Sequence, residues 1–449
     1  MRRGSVPVLC LVQFVDVLGV TSATTAIPSI LRGVHADAAF AGPLATVYAM
    51  FFGGLLVLGA RLGDRFGHRR ILLTGIALFG AVSVLGAAAG ALGDAAIGAV
   101  LLSRALQGAA AAISVPSALR LLLEAAPAGD ARRRAVAAWS ATGAAAGASG
   151  FLVGGLLVQA LGWPAVFWIN LPLAAALFAG VLLAVARSSH PRDESPLDVA
   201  GAVLLIAAVM AVIAGAALME SPPTLPAGIL LVAVGAGLAA LLVVRLRTAR
   251  YPLIPRAAFA SRPLRQGTAI SFVNTATTSS SAVLATLFLQ QTLKIGPVAA
   301  GLTLMAFSVA VILTSSTTGT IFRNWGAHAL AATGLATIAI GQLVLATTTG
   351  PWWGVLVGVA LAGAGLGLSS VAGTSIGTSV PGSLEGSASG ILNTGAQLGT
   401  ALGTSVIVLI AAFGGVTAGW LTAAVAAAVT AAWCALPRTR AHGSGSTST

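Results

Sequence analysis

Two ionisable residues stand inside long apolar runs of this chain: Asp16 in "CLVQFVDVLGV" and Arg104 in "AVLLSRALQGAA". A charge at the centre of a hydrocarbon layer costs about 2.5–3.5 kcal/mol on insertion scales, so such residues are few and demand a reason. A desolvated carboxylate beside a cation can take up and release a proton as its access to water changes. The same two groups held as a fixed pair would do no more than tie two helices together. Asp16 lies 13 residues beyond Arg3, about 15–20 Å along a helix, and Arg104 is about 15 Å deep counted from Asp94. Both reach mid-membrane, where they are expected to approach each other.

A second concentration of charge is "GARLGDRFGHRRILLTG", Gly59 to Gly75, with Arg61, Asp64, Arg65, His68, Arg69 and Arg70 inside ten residues of a chain that is 8% charged. Gly63 and Gly67 permit a tight, close-packed connection. Asp64 between them can sit at a helix N-terminus, where the dipole favours an anion. Arginines alone would serve as anchoring charge, a purpose for which Asp64 is not needed. Further on, Gly143, Gly147, Gly150, Gly154 and Gly155 recur at spacings that let helices approach closely in lipid. They form either a bending element or a packing seam. Ser271, Asn274, Thr275 and Thr278 share one helical face; with Gln13, Gln290, Asn393 and Gln397 they either line a ligand cavity or bond neighbouring helices.

The elements that must hold these groups follow from composition. Of 449 residues, 57% are hydrophobic, with a mean hydropathy of +0.97; soluble domains carry about 25% charged residues. Runs such as Val199 to Met219 and Val416 to Leu436 reach the roughly 20 residues that cross about 30 Å of hydrocarbon. The pattern predicts fourteen transmembrane helices, near 6–31, 39–59, 71–91, 95–118, 135–160, 164–186, 199–219, 227–244, 267–290, 297–321, 328–348, 352–380, 387–412 and 416–436. No cleavable leader is evident. With the N-terminus cytoplasmic, 21 of the 24 Lys and Arg fall in cytoplasmic segments, Arg32 and Lys294 fall outside, and Arg104 lies within a span, as the positive-inside rule requires. Both termini are therefore expected inside.

The plain pair of helices at 199–244 sits between the two longest loops. Removing it leaves six helices on either side, and the two blocks echo each other: "RLGDRFGHRR" in the first corresponds to "TIFRNWGAHA" in the second, with Gly67 against Gly326. Parallel six-helix repeats around a midplane site are a transporter architecture. The chain divides into a bundle at 1–186, a linker loop with two extra helices at 187–262, a second bundle at 263–436 and a disordered tail at 437–449. The net charge of +13 is scattered over loops without a nucleic-acid motif, which excludes nucleic acid as partner. Cys10 and Cys434 are too far apart and too apolar in setting to suggest a disulfide framework or metal cluster. No P-loop and no histidine paired with a nucleophile or ligand set appears, so no enzyme, cofactor or metal is expected.

Four stretches then resemble the major facilitator superfamily, and within it the fourteen-helix drug:proton antiporter branch. "LGDRFGHRR" is similar to its G-x-L-a-D-R-x-G-r-R turn, and "RALQGAAAA" to R-x-x-Q-G in the fourth helix. "GFLVGGLLVQALGWPAVFWINLP" resembles the G-P-x-x-G-G antiporter motif and its sequel, and "EGSASGILNTGAQLGTALG" a stretch of the thirteenth helix. Ala60 replaces the usual Gly, Phe151 the usual Pro, and Gly19 stands where the first helix of the family has Asp; Asp16 lies about one turn earlier on nearly the same face. The resemblance implies a monomeric, all-α integral membrane protein of the bacterial cytoplasmic membrane. It would export amphipathic drugs or antibiotics against protons by alternating access, with Gly63, Asp64, Arg65, Gly67 and Arg69 as a cytoplasmic gate and Gly150, Gly154 and Gly155 on the antiport helix. A metabolite carrier of the same fold and a non-transporting membrane scaffold are the alternative readings.

Overall fold

The computed structural model describes residues 5–126, 130–186, 198–219, 222–254, 256–347, 351–380 and 382–436. The loop at 187–197, the tail at 437–449 and the side chains of Arg323, Trp325 and Glu385 lie outside the described residues. Within them the chain is helical, with no strand. Backbone N–H and C=O groups find no water in hydrocarbon, and a helix satisfies them within one segment.

The helices are α1 (Ser5–Gly33), α2 (Ala41–Phe66), α3 (His68–Ala88), α4 (Ala96–Ala125), α5 (Asp130–Leu161), the short α6 (Ala165–Trp168), α7 (Asn170–Ala184), α8 (Val199–Met219), α9 (Leu225–Thr248), α10 (Arg256–Ala260), α11 (Arg262–Leu287), α12 (Pro297–Thr347), α13 (Trp352–Gly377), α14 (Gly382–Leu398) and α15 (Thr404–Ala435). Twelve stretches among the described residues are long and apolar enough to cross a membrane. Two of these, His68–Ala125 and Gly390–Ala435, are about twice the length one crossing needs. They are interrupted by non-helical backbone at Gly93 and Gly415.

Several helices run past the charged residues that were expected to end them. The second was placed at 39–59, yet α2 continues to Phe66 and carries Arg61, Asp64 and Arg65 in its last turns. Long charged side chains reach out of the apolar layer without interrupting the helix. What stops α2 is Gly67, at φ +94°, a conformation L-residues rarely adopt. Asp64 therefore lies near the end of a helix, not at the N-terminus that was expected for it. Gly326, the residue aligned with Gly67, breaks α12 in the same way at φ +78°. At neither position would a Cβ touch anything, so backbone conformation, not space, calls for glycine.

In the N-terminal half α2 and α3 pack on α4, α1 on α5, and α3 on α7; in the C-terminal half α11 packs on α13 and α14, and α12 on α13 and α15. The halves meet along two seams, α5 against α12 and α2 against α14. Small residues make both seams close. A Cβ at Gly155 would fall 2.9 Å from the Pro297 carbonyl carbon of α12; within the N-terminal half, one at Gly154 would fall 2.6 Å from the Ser22 carbonyl oxygen of α1. Gly53 of α2 faces Gln397 of α14.

α8 covers α2, burying Leu205, Val209 and Ile213 with Met50, while α9 packs chiefly on α8 and leaves much of its surface exposed. Asp198 fastens this hairpin. Its Oδ1 accepts from the Gly201 amide at 2.9 Å, capping the start of α8, and from Arg245 Nε at 2.7 Å; its Oδ2 accepts from the Leu253 amide at 2.8 Å. Burial pushes the Asp198 carboxyl upward, but the Arg245 hydrogen bond, the two backbone donors and the Arg245 charge outweigh it and hold the acid below its usual range.

Two outcomes follow from this packing. Gly155→Val should cost about 1–3 kcal/mol by overpacking, whereas Gly98→Ala, whose Cβ meets nothing within 4 Å, should stay within about 1 kcal/mol of the parent on the stabilising side; thermal unfolding in detergent compares them. Because the folded Asp198 has the lower pKa, its stabilisation is complete above the unfolded value of about 3.9 and disappears as pH falls through the folded one. Asp198→Asn should thus melt earlier than the parent at neutral pH and lose less on acidification, and parallel melting curves from pH 7 to 3 would count against the tie.

Candidate functional site

Asp16 and Arg104 are both buried, on α1 and α4. They come near each other without a direct ion pair. Between them stands Tyr48 of α2, whose hydroxyl donates to Asp16 Oδ1 and whose ring lies 4.6 Å beneath the Arg104 guanidinium. One aromatic side chain thus serves the acid through its hydroxyl and the cation through its face. Arg104 Nη1 also donates to Gln107 Oε1 at 3.1 Å and to the Gly19 carbonyl at 3.4 Å. Gln107 in turn donates to Ser83 Oγ at 2.7 Å, and Ser83 to the Phe79 carbonyl at 2.7 Å. Arg104 Nε has no partner among the described residues. Gly19 is where the acid of the resembled motif would stand, and its carbonyl supports the guanidinium instead.

A void of about 20 Å³ lies against Asp16, walled by Ile76, Phe79, Ser114 and Leu177, enough for one water molecule. It lies within the N-terminal half. A larger cavity, about 260 Å³, opens between the halves. α1 serves both: Val12, Val15 and Asp16 face the small void, and Val17, Val20, Thr21 and Thr24 face the large one. Among the described residues no charged side chain lines the large cavity, whose walls are aliphatic and aromatic, with Phe151 and Phe307 prominent and hydroxyls between them. Most of those hydroxyls are already used. Thr21, Thr24 and Thr278 donate to carbonyls of their own helices, Thr275 donates to Ala396 O at 2.6 Å, and Ser279 pairs with Thr400 at 3.2 Å. Thr404 Oγ1 is buried and unpartnered.

Of the residues expected to line a cavity, Thr275 and Thr278 lie on this wall, and Ser271 does not. Asn274 turns toward α13 and donates to Ser369 Oγ at 3.3 Å. Gln290 crosses between the halves to the Thr25 carbonyl at 2.9 Å. Gln397 packs on Gly53, Gln13 packs on Gly143, and Asn393 is half-buried on α14. Thr394, its neighbour, makes a second crossing bond to the Gly53 carbonyl at 3.1 Å. The amides of Asn274 and Gln290 thus bond to other helices, while hydroxyls line the cavity.

At the α2–α3 connection Gly63 packs on His68 and Ser117. Asp64 bonds His68 Nε2 at 3.0 Å, and Arg65 lies 5.6 Å from the Phe66 ring centroid. Arg69 donates to the carbonyls of Val185 at 2.8 Å and Leu182 at 3.1 Å, supplying donors to the unsatisfied C-terminal end of α7. Gly150 lies on Thr21 and Gly154 on Ser22, both of α1, while Gly155 lies on Pro297 of α12.

The chain matches the Major Facilitator Superfamily over residues 9–266 and 267–449. It belongs to that family, and it is a multi-pass membrane protein. Similar proteins include a tetracenomycin C resistance and export protein of Streptomyces glaucescens, 34% identical over 77% of this chain and 64% of that protein. A lincomycin resistance protein of Streptomyces lincolnensis is 32% identical over 73% of this chain and 67% of its own length. The chain thus spans about two-thirds of the relatives it matches. A crystal structure of a POT family transporter in complex with 5-aminolevulinic acid shares the fold, with a TM-score of 0.69 at 15% identity, covering 96% of this chain and 95% of that one.

Tyr48 escaped the sequence reading. One of two tyrosines in the chain, and the one embedded in an apolar run, it carries a hydroxyl that needs a partner when buried, and that was the available signal. Tyr48→Phe should leave Asp16 short of a donor at a cost of about 1–3 kcal/mol, and Tyr48→Leu should cost more because the ring under Arg104 also goes. Equal melting temperatures for the two variants in detergent would detach the ring from Arg104.

Proposed function

We propose that this chain exports small amphipathic drugs or antibiotics in exchange for protons, by alternating access between N- and C-terminal six-helix bundles at 1–186 and 263–436, with 187–262 as linker. The single observation that carries the reading is the division of labour across α1. Its Asp16 face meets Tyr48 and a one-water void, and its neighbouring face meets an uncharged cavity between the halves. A carboxyl with one donor, a nearby guanidinium and room for a water is equipped to hold and hand over a proton. A cavity with aromatic and aliphatic walls and few unused hydroxyls suits an apolar or amphipathic molecule and offers nothing to neutralise a phosphate or a sulfate. The resistance and export roles of the Streptomyces relatives support the same substrate class.

In this reading the protein has fourteen spans and both termini in the cytoplasm of a bacterial cell. The breaks at Gly93 and Gly415 divide the two double-length stretches, and the distribution of arginine sets the orientation. The α2–α3 connection is the cytoplasmic gate: Asp64, Arg65 and Arg69 hold one face of the first bundle while Gly67 sets the turn. The glycines of α5 are the surface on which α1 and α12 slide or part.

Export from everted vesicles tests the reading. An imposed proton gradient should drive substrate movement in the parent, and Asp16→Asn should abolish that dependence while leaving the protein folded and inserted. Movement independent of pH in the parent identifies a uniporter, and unaltered proton-driven movement in Asp16→Asn removes the acid from coupling.

A further inference from the structure

The end of α9, the link that follows and the start of α10 carry four arginines, Arg245, Arg247, Arg250 and Arg256, in distinct settings. Arg245 is paired with Asp198. Arg250 lies 5.5 Å from the Tyr251 ring centroid. Arg256, the first residue of α10, donates from Nη2 to the Ala249 carbonyl at 3.1 Å, which holds it over the end of α9. Arg247, in the last turn of α9, has no carboxylate partner among the described residues, and neither has Arg256. These two line one cavity of about 270 Å³, with Val243 and Leu246 as its other walls among the described residues.

The order of these groups along α9 is informative. Val243 and Arg247 are four residues apart and therefore on one face, one turn above the other. Val243 is 46% exposed, on a helix that packs chiefly on α8. An apolar wall thus continues from the membrane-facing side of α9 upward into a site with two guanidiniums that have no carboxylate partner among the described residues. A phospholipid has the same succession, acyl chain and then phosphate, and guanidinium is the side chain whose planar donors fit phosphate oxygens two at a time. A soluble anion would make use of the arginines alone and leave Val243 idle. Basic pockets between helices at a membrane face take anionic head groups for this reason.

We propose that the cavity between the end of α9 and the start of α10 binds one anionic phospholipid from the adjoining leaflet, its phosphate on Arg247 and Arg256 and an acyl chain along Val243 and Leu246. The lipid would brace the α8–α9 hairpin at the end where Asp198 already ties it, and the proposal does not depend on the transport reading above.

The test is native mass spectrometry of the purified full-length protein in detergent, supplied with phosphatidylglycerol or with phosphatidylcholine of the same acyl chains. The parent should retain one phosphatidylglycerol at least tenfold more than phosphatidylcholine. Arg247→Gln with Arg256→Gln should lose that preference, whereas Arg250→Gln with Arg262→Gln, exposed arginines outside the cavity, should keep it. Val243→Asn should weaken lipid retention, and inorganic phosphate at equal concentration should not displace the lipid. Equal retention of the two lipids, or equal loss in both arginine pairs, would mean interfacial charge without a site and would overturn the proposal. Displacement by inorganic phosphate would overturn it in favour of a soluble anion. Because all four arginines point outward, melting temperatures without lipid should match the parent; if the double variant fails to fold, Arg247→Gln alone carries the comparison.

Discussion

An ionisable pair can remain at the centre of a hydrocarbon layer only where every neighbouring helix contributes something to it. Asp16 and Arg104 meet that condition through Tyr48, which satisfies the acid with its hydroxyl and the cation with its ring. This single residue couples three helices, because α1 supplies the acid, α2 the phenol and α4 the guanidinium. The Gly19 carbonyl and Gln107 then fix Arg104, and Ser83 brings in α3. The first four helices of the chain are thereby oriented by one polar cluster, in an environment where apolar surface alone gives little orientation, since lipid tails are as apolar as leucine.

The same economy governs where polar groups lie along the interface between the halves. A hydroxyl on a helix can satisfy itself on the carbonyl one turn back, and can face an apolar cavity at little cost. An amide has more donors and acceptors than its own helix can serve, so it is drawn to another helix. Gln290 reaches across to the Thr25 carbonyl, and Asn274 turns to Ser369. The consequence is a cavity with weak, few and short-reaching hydrogen-bond groups, bounded by seams in which the stronger polar groups act as fasteners.

The all-helical, membrane-spanning character of the chain was legible in the sequence because runs of about twenty apolar residues need no knowledge of partners. The ends of the spans were less so. α2 was expected to stop at residue 59 and continues to Phe66, since a charged side chain does not interrupt a helix and a left-handed glycine does. Asp16 and Arg104 stood out because charge in hydrocarbon is rare, and Tyr48 did not, because tyrosine in an apolar run reads as an aromatic filler. The facing of Asn274, Gln290 and Gln397 was beyond periodicity, which assigns residues to a face of one helix but not to the neighbour opposite it. The arginines at the end of α9 were read as topology-setting charge, and their association with Val243 in one cavity emerged only from the geometry.

The glycines that turn the chain with positive φ have a meaning of their own. Gly67 and Gly326 occupy matching places in the two halves, as do Gly162 and Gly415 at the later connection, all with positive φ. Residues that touch a cargo must diverge when the cargo changes, and residues in a seam drift with their partners. An elbow held by backbone geometry answers to neither pressure. These four positions therefore set the same two turns in each half, whatever side chains surround them.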